Sequence, residues 1–460
     1  MVGRKGRRVL FMALPLEGHL NPMLQLAQIL HSNGFSITII HTTFNSPNPS
    51  KYPNFTFSCI QDALSPTQFS DLLSFLVELN VKCVEPFKEC VGKLLRSDEA
   101  AEEPVACLIS DAMCHFTQGV ADNLKLPRIV LRTSGVSSFV AFAAYPLFRE
   151  RGYISTQQQV DCNLEEEVEE LAPLRVKDLP LIKTEEPEKY YELLGKFLKE
   201  TKGSLGVIWN SFEGLESGAL RKVSKEFSIP MFPIGPLHKY FPSSASCSSL
   251  ISQDQSCIAW LDTKPPNSVV YVSFGSLAAI TETEFLEIAW GLANSKHPFL
   301  WVVREGLMKE SEWVEALPSG FVESLEGRGL IVKWAPQQEV LAHSAVGAFW
   351  THSGWNSTLE SICEGVPMIC MPFFTDQKVN ARYVSHVWRV GLQLEDRGEI
   401  ERIIGRLMDG NDEAKEIRDR ALKLKEEAKV CLQQGGSSCS SLEALLTYIL
   451  SFDSFTFQPS

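Results

Sequence analysis

Two groups of residues in this chain combine types and spacing suited to chemistry. The first is His19, in the run Pro15-Leu16-Glu17-Gly18-His19, together with Asp111, which follows the apolar run Val105 to Ile109. An imidazole oriented by a carboxylate can act as a general base toward a hydroxyl. Taken singly, each has a plainer reading: His19 as a satisfied polar residue near a helix start, and Asp111 as the N-cap of a helix from Met113 onward. The second group is denser. It comprises Trp334-Ala335-Pro336-Gln337, then Thr351-His352-Ser353-Gly354-Trp355-Asn356-Ser357-Thr358-Leu359-Glu360, then Pro372-Phe373-Phe374-Thr375-Asp376-Gln377. Small residues between an apolar run and a helical pattern turn backbone N–H groups and the positive helix end toward an anion. His352, Asn356 and Ser357 flank that point, which suits a diphosphate. Gly275-Ser276, after another apolar run, would add donors. Glu360, one helical turn past Asn356, is spaced to accept both hydroxyls of a ribose, and Trp334 offers a flat face to a base. The plainer alternative is an ordinary strand-turn-helix beside a core tryptophan.

The elements that must position these residues follow from the pattern. Val9 to Ala13 reads as a strand; Asn21-Pro22 is a good N-cap and first-turn pair for the helix through Leu30, closed by Gly34; Phe35 to Ile40 is the next strand. This is a βαβ opening, with His19 just past a strand and just before a helix. Val105 to Ile109 and Arg128 to Leu131 read as buried strands ending at Ser110-Asp111 and Arg132-Thr133. The second half repeats the style. Val269 to Phe274, Phe299 to Val303, Leu330 to Val332, Val346 to Trp350 and Pro367 to Met371 are strand-like, and Thr281 with Glu284 forms a capping box for a helix through Asn294. A helix from the Thr351 turn toward Glu364 has Gly365 as its stop, Asp412 to Lys429 is a charged amphipathic helix, and Ser440 to Leu450 is a shorter, more apolar one. The stretch from Gly235 to Ser256, with prolines at 236 and 242 and serine-rich from Ser243 to Ser252, reads as a linker. The class is α/β, with an N-terminal domain over 1–235, a linker over 236–256, a second domain over 257–435, and a terminal helix over 436–460 that packs back on the first domain. Ligands of open parallel sheets bind beyond the carboxyl ends of the strands, so two such sheets would present the marked loops to a cleft.

Bulk properties narrow the function. The 460 residues are 44% hydrophobic, enough for more than one core. With 56 acidic against 43 basic residues, the net charge of -13 disfavours a nucleic-acid partner. The 12 cysteines show no zinc spacing and read as buried small hydrophobes in a reducing compartment. Arg4, Lys5, Arg7 and Arg8 imitate a signal-peptide head, but Pro15 and Glu17 break the following run, and no apolar stretch reaches the ~20 residues of a membrane span. A cytoplasmic location is expected. Neither Gly-x-Gly-x-x-Gly nor Asp-x-Asp occurs, which argues against a dinucleotide oxidoreductase and a metal-bridged sugar transferase.

Trp334 to Gln377, 44 consecutive positions, resembles the signature box of plant family 1 UDP-dependent glycosyltransferases, and the resemblance extends from Val9 through the chain. It implies the GT-B fold, two Rossmann-like domains facing a cleft, and inverting transfer of glucose from UDP-glucose to a small acceptor without metal or other cofactor. It assigns Trp334 to uracil, Gln337 and Glu360 to ribose, and His352, Asn356, Ser357 and Ser276 to the phosphates. Trp355, Asp376, Gln377 and Thr133 would meet the sugar, and Ala335 and Gly354 complete the donor set. Gln377 accompanies glucose donors in the family. His19 would be the base and Asp111 its partner. The acceptor would sit among Phe116, Phe139, Phe142, Leu193 and Phe197, with Ser138 and Phe374, which implies an apolar pocket and no named molecule. A monomer is expected. A sugar-nucleotide binder without catalysis, and an epimerase or retaining transferase on the same fold, are the remaining alternatives.

Overall fold

The computed structural model describes residues 7–62, 64, 72–96, 103–153, 163–181, 186–241, 251–308 and 317–452. Positions 4, 5 and 243–250, which entered the readings of a basic head and a linker, lie outside them. The chain divides into two compact units: residues 1–136, 183–250 and 431–460 form one, and residues 137–182 and 251–430 the other. The packing therefore groups residues 137–182 with the C-terminal sequence half, and the last 30 residues with the N-terminal half.

The first unit is built on β1 (Arg8–Met12), β2 (Ser36–His41), β3 (Thr56–Cys59), β4 (Val105–Asp111), β5 (Arg128–Arg132), β6 (Val207–Trp209) and β7 (Met231–Pro233). They form one parallel sheet in the order β3-β2-β1-β4-β5-β6-β7. Strands covered on both faces read as unbroken apolar runs, and every residue of β1, β4 and β5 is buried. The pattern reading missed β3, β6 and β7, each only three or four residues long, too short for periodicity to separate from a loop.

The first helix spans Glu17–Ser32 and starts four residues before the expected Asn21-Pro22 pair. Leu16 accepts the first bonds, from the backbone N–H groups of His19 at 2.9 Å and Leu20 at 2.8 Å. Pro22 thus sits inside the helix at the loss of one intrahelical bond, and His19 lies in the first turn rather than before it. Arg128 enters β5 fully buried. Its Nε donates to Ser110 Oγ (2.8 Å) and Thr117 Oγ1 (2.9 Å), and a terminal nitrogen donates to Gln118 Oε1 (2.6 Å), which fastens β4 and the helix Phe116–Leu124 to β5. The terminal helix Ser437–Ser451 buries Leu442, Leu445, Leu446 and Ile449 in the same core as Val9, Ile109, Leu131 and Ile208.

The second unit holds β8 (Val269–Ser273), β9 (Phe299–Val302), β10 (Gly329–Val332), β11 (Val346–Thr351), β12 (Met368–Cys370) and β13 (Gly391–Gln393), a parallel sheet in the order β10-β9-β8-β11-β12-β13. The Thr281 capping box forms with both bonds and opens the helix Glu282–Asn294. Gly365, at φ 68°, ends the helix Trp355–Glu364 in the left-handed region that glycine adopts without a Cβ penalty. The charged helix runs Asp412–Leu432. Among the described residues, no helix is long and apolar enough to cross a membrane.

Leu445→Ala should lower the stability of the first unit by about 2–5 kcal/mol, the usual cost of a buried leucine truncation, read by denaturant titration. An unchanged midpoint would mean that the terminal helix is not part of that core.

Candidate active site

In the first unit, β1 and β4 are neighbours although they are not consecutive, and their connections leave at the point where strand order reverses. His19 follows β1, Asp111 ends β4 and Thr133 follows β5. The structure brings all three together. His19 Nδ1 lies 2.8 Å from Asp111 Oδ2 and 3.0 Å from Thr133 Oγ1. Asp111 is 1% exposed, and its other oxygen, Oδ1, accepts the backbone N–H of Met113 at 2.8 Å. The N-cap reading of Asp111 is corrected: the helix begins at Phe116 behind His115, not at Met113, so this oxygen closes the turn that follows β4 instead. Because Nδ1–H donates to a carboxylate that accepts only, the ring takes the tautomer with a lone pair on Nε2. Thr133, which the resemblance assigns to the sugar, is placed at the histidine.

Of the aromatic residues expected to line the acceptor, Phe116 and Phe197 in this unit are buried; Phe116 makes an edge contact with Phe87 at 5.4 Å. His115, absent from the sequence reading, lies 5.7 Å from Phe197, and burial pushes its pKa down to about 4, so the ring is neutral at pH 7. In the second unit, Phe139 is buried, while Phe142 and Phe374 are half-buried. Ser138 is fully buried and its hydroxyl donates to Asn380 Oδ1 at 2.9 Å.

The second unit has its own reversal, between β8 and β11. Gly275-Ser276 follows β8, and the turn His352-Ser353-Gly354 follows β11 and opens the helix Trp355–Glu364, which has no side-chain cap. Such an uncapped helix start, aimed from a strand end, offers backbone donors and a positive dipole to a phosphate. Ser353 takes φ 65°, and its N–H donates to Thr351 Oγ1 at 3.1 Å, which closes the turn. His352 is held between two glycines. A Cβ on Gly275 would lie 2.6 Å from His352 Nε2, and one on Gly354 would lie 2.4 Å from the same atom. Gly275 also has φ +72°. Burial, with the charge of Arg304 adding to it, pushes the His352 pKa down to about 4, so this imidazole is neutral at pH 7.

Arg304 is a residue that the sequence reading missed. Its Nε donates to the Gly275 carbonyl at 2.9 Å, and a terminal nitrogen donates to the Ala278 carbonyl, so its charge stands on the loop that carries Ser276. Its signal was available, since it lies just beyond a strand, β9, at the same carboxyl edge.

The remaining box residues form a connected set. Gln337 Nε2 donates to Glu360 Oε2 (2.7 Å) and Ser357 Oγ (3.0 Å), while Gln338 Nε2 donates to Glu360 Oε1 (3.0 Å). Ala335 is buried and Trp334 is half-buried, its carbonyl accepting Asp254 N–H at 2.9 Å. Asn356 lies in the first helical turn. The Trp355 ring is buried, 6.3 Å from that of Trp388. Asp376 and Gln377 open the helix Asp376–Arg382, and Gln377 Oε1 accepts the backbone N–H groups of Phe373 (2.9 Å) and Phe374 (3.3 Å).

Two parallel Rossmann-like sheets, one with a histidine-carboxylate pair at its reversal and the other with an anion-seeking helix start at its own, define a glycosyltransferase of the GT-B class. Residues 192–396 match the family model described as UDP-glucoronosyl and UDP-glucosyl transferase. The chain is 52% identical to UDP-glycosyltransferase 76B1 of Arabidopsis thaliana over 458 residues, 98% of this chain and 100% of the relative. Its fold is similar to that of UGT2 of Phytolacca americana complexed with UDP-2-fluoro-glucose and pterostilbene: TM-score 0.79, 28% identity, 96% of this chain and 99% of that one. It is also similar to a UDP-glucosyltransferase from Polygonum tinctorium capable of glucosylating indoxyl, with TM-score 0.82, 30% identity and 98% and 100% coverage. The chain belongs to the plant family 1 UDP-glycosyltransferases and is an enzyme that transfers a glycosyl group from a UDP-sugar.

Gly354→Ala should weaken UDP binding at least about tenfold by calorimetry. Its φ of -60° suits alanine, so the loss would come from displacing the His352 ring. Binding within twofold of wild type would show that the ring's placement does not matter to UDP.

Proposed function

We propose that this enzyme transfers glucose from UDP-glucose to a hydroxyl, or a carboxyl or nitrogen, of a small, largely apolar plant metabolite such as a phenolic, terpenoid or hormone, with inversion to a β-glucoside. The observation that carries the reading is the 2.8 Å contact between His19 Nδ1 and buried Asp111, which leaves Nε2 as the basic atom. Nε2 takes the proton of the acceptor hydroxyl, and Asp111 stabilises the imidazolium that forms. The acceptor oxygen forms its bond to the anomeric carbon as the bond from that carbon to the β-phosphate oxygen breaks, and UDP leaves with the electron pair. That charge is met by the helix start after Thr351, by neutral His352 acting as a hydrogen-bond donor, and by Ser276, in an account that needs no metal. Trp334 stacks on uracil, Gln337 and Glu360 hold the ribose, and Asp376 and Gln377 hold the sugar hydroxyls. A structural relative complexed with pterostilbene, and another capable of glucosylating indoxyl, support a small acceptor. The protein is expected to work as a cytoplasmic monomer.

His19→Ala should reduce kcat on an oxygen acceptor by about 10²- to 10⁴-fold while leaving UDP affinity unchanged. Near-normal turnover would remove His19 from the role of base. Exhaustive treatment with EDTA should leave the rate unchanged; loss of activity that magnesium restores would contradict the metal-free account.

A further inference from the structure

One buried amide outside the residues assigned so far joins three segments that the proposed reaction uses. Asn380 lies on the helix Asp376–Arg382 and is 2% exposed. Its Nδ2 donates to the Ser353 carbonyl at 2.9 Å and to Asp376 Oδ2 at 3.3 Å, and its Oδ1 accepts from Ser138 Oγ at 2.9 Å. The orientation of the amide follows from its partners. A carbonyl and a carboxylate only accept, so the NH₂ must face them, and the oxygen is left for the hydroxyl. Asp376 is four residues earlier on the same helix, which places the two side chains on one face. Ser353 is the positive-φ residue of the turn that follows β11, and Ser138 belongs to the helix Val136–Ala143, which also carries Phe139 and Phe142.

The helix Asp376–Arg382 runs on into a π-helical stretch, Tyr383–Val387, and is still only about three turns long, so tertiary bonds decide where its first turn points. Beside Asn380, Arg382 Nε donates to the Pro173 carbonyl at 2.9 Å and lies 3.5 Å from the buried carboxylate of Asp178, which Arg175 also holds. These ties fix the far end of the helix. Asn380 alone among them reaches the Asp376 carboxylate and the turn after β11 together. Losing its NH₂ would leave a buried carbonyl unsatisfied and release one oxygen of Asp376.

We propose that Asn380 is a positioning residue for the donor sugar: it locks the Asp376 carboxylate against the turn after β11, so that the enzyme binds the glucosyl part of UDP-glucose and not merely UDP. The proposal rests on the reading of Asp376 as a sugar ligand.

The test compares UDP with UDP-2-fluoro-glucose by calorimetry on wild type, Asn380→Ala and Ser138→Ala, alongside kcat/KM for UDP-glucose. Asn380→Ala should bind the fluoro-sugar nucleotide about tenfold more weakly while its UDP affinity stays within about twofold, and kcat/KM should fall by at least the same factor. A merely structural amide would not produce that split. Ser138→Ala, which removes only the hydroxyl on Oδ1, should show the same split at about threefold and serves if Asn380→Ala fails to fold. Equal losses for both ligands, or no loss for either, would overturn the proposal. Wild type that binds neither ligand would instead overturn the underlying reading of the site, and the proposal with it.

Discussion

Every strand of a parallel sheet ends on the same edge, and at one place in that edge the strand order reverses, so that successive connections depart to opposite faces and leave a crevice. This geometric constraint fixes where chemistry can be built in both units. In the first the reversal lies between β1 and β4, and in the second between β8 and β11. The registers bring the ends level: Met12 is paired with Ser110, and Thr351 with Ser273. The next residues out are therefore the loop that leads to His19 and Asp111 itself in one unit, and the Gly275 and His352 loops in the other. Neither pair is close in sequence; each is close because the sheet has only one such gap.

At the second gap, the groups that would meet a diphosphate are mostly dipoles rather than charges. The helix start is uncapped, His352 is held neutral by burial, and the nearby full charge, Arg304, is turned onto the carbonyls of Gly275 and Ala278. Fixed dipoles that are already oriented cost no reorganisation when charge develops on a leaving group. The arrangement demands close approach, which explains the two glycines: a methyl group at either 275 or 354 would occupy the space of the imidazole. The His19 centre is arranged differently: its ring keeps one nitrogen committed to Asp111 and Thr133, and the proposed reaction would use the other.

Most of this was legible in the residues. The apolar runs of β1, β4, β5, β8 and β11 are complete because both faces of a parallel sheet are covered, and Thr281 with Gly365 marked helix ends by chemistry that does not depend on context. The errors have physical causes. Pro22 has the spacing of a first-turn proline, yet the helix tolerates it inside, since the bonds made by Leu16 start the helix earlier. The strands Thr56–Cys59 and Gly391–Gln393 are too short to carry a period; the first is laddered by the longer β2, and the second by β12, itself only three residues long. Chain order also suggested that residues 137–182 belong with what precedes them, whereas their contacts, such as Ser138 with Asn380 and Arg382 with Pro173, join them to the second unit.

Those contacts show what local pattern does not contain. A hydrophobic run specifies that a strand is buried, but not which polar group it meets. His19 and Asp111 are 92 residues apart, and Ser138 and Asn380 are 242 apart. Each such bond satisfies a group that would be costly to bury alone, so each requires its partner to arrive in a single orientation. The scaffold can therefore absorb many apolar exchanges of similar volume while the site cannot absorb one polar exchange without a second that matches it. That asymmetry separates the two kinds of residue on any strand here: in β4, Leu108 is defined by shape alone, whereas Ser110 and Asp111 are defined by Arg128 and His19, residues that no reading of the strand by itself would select.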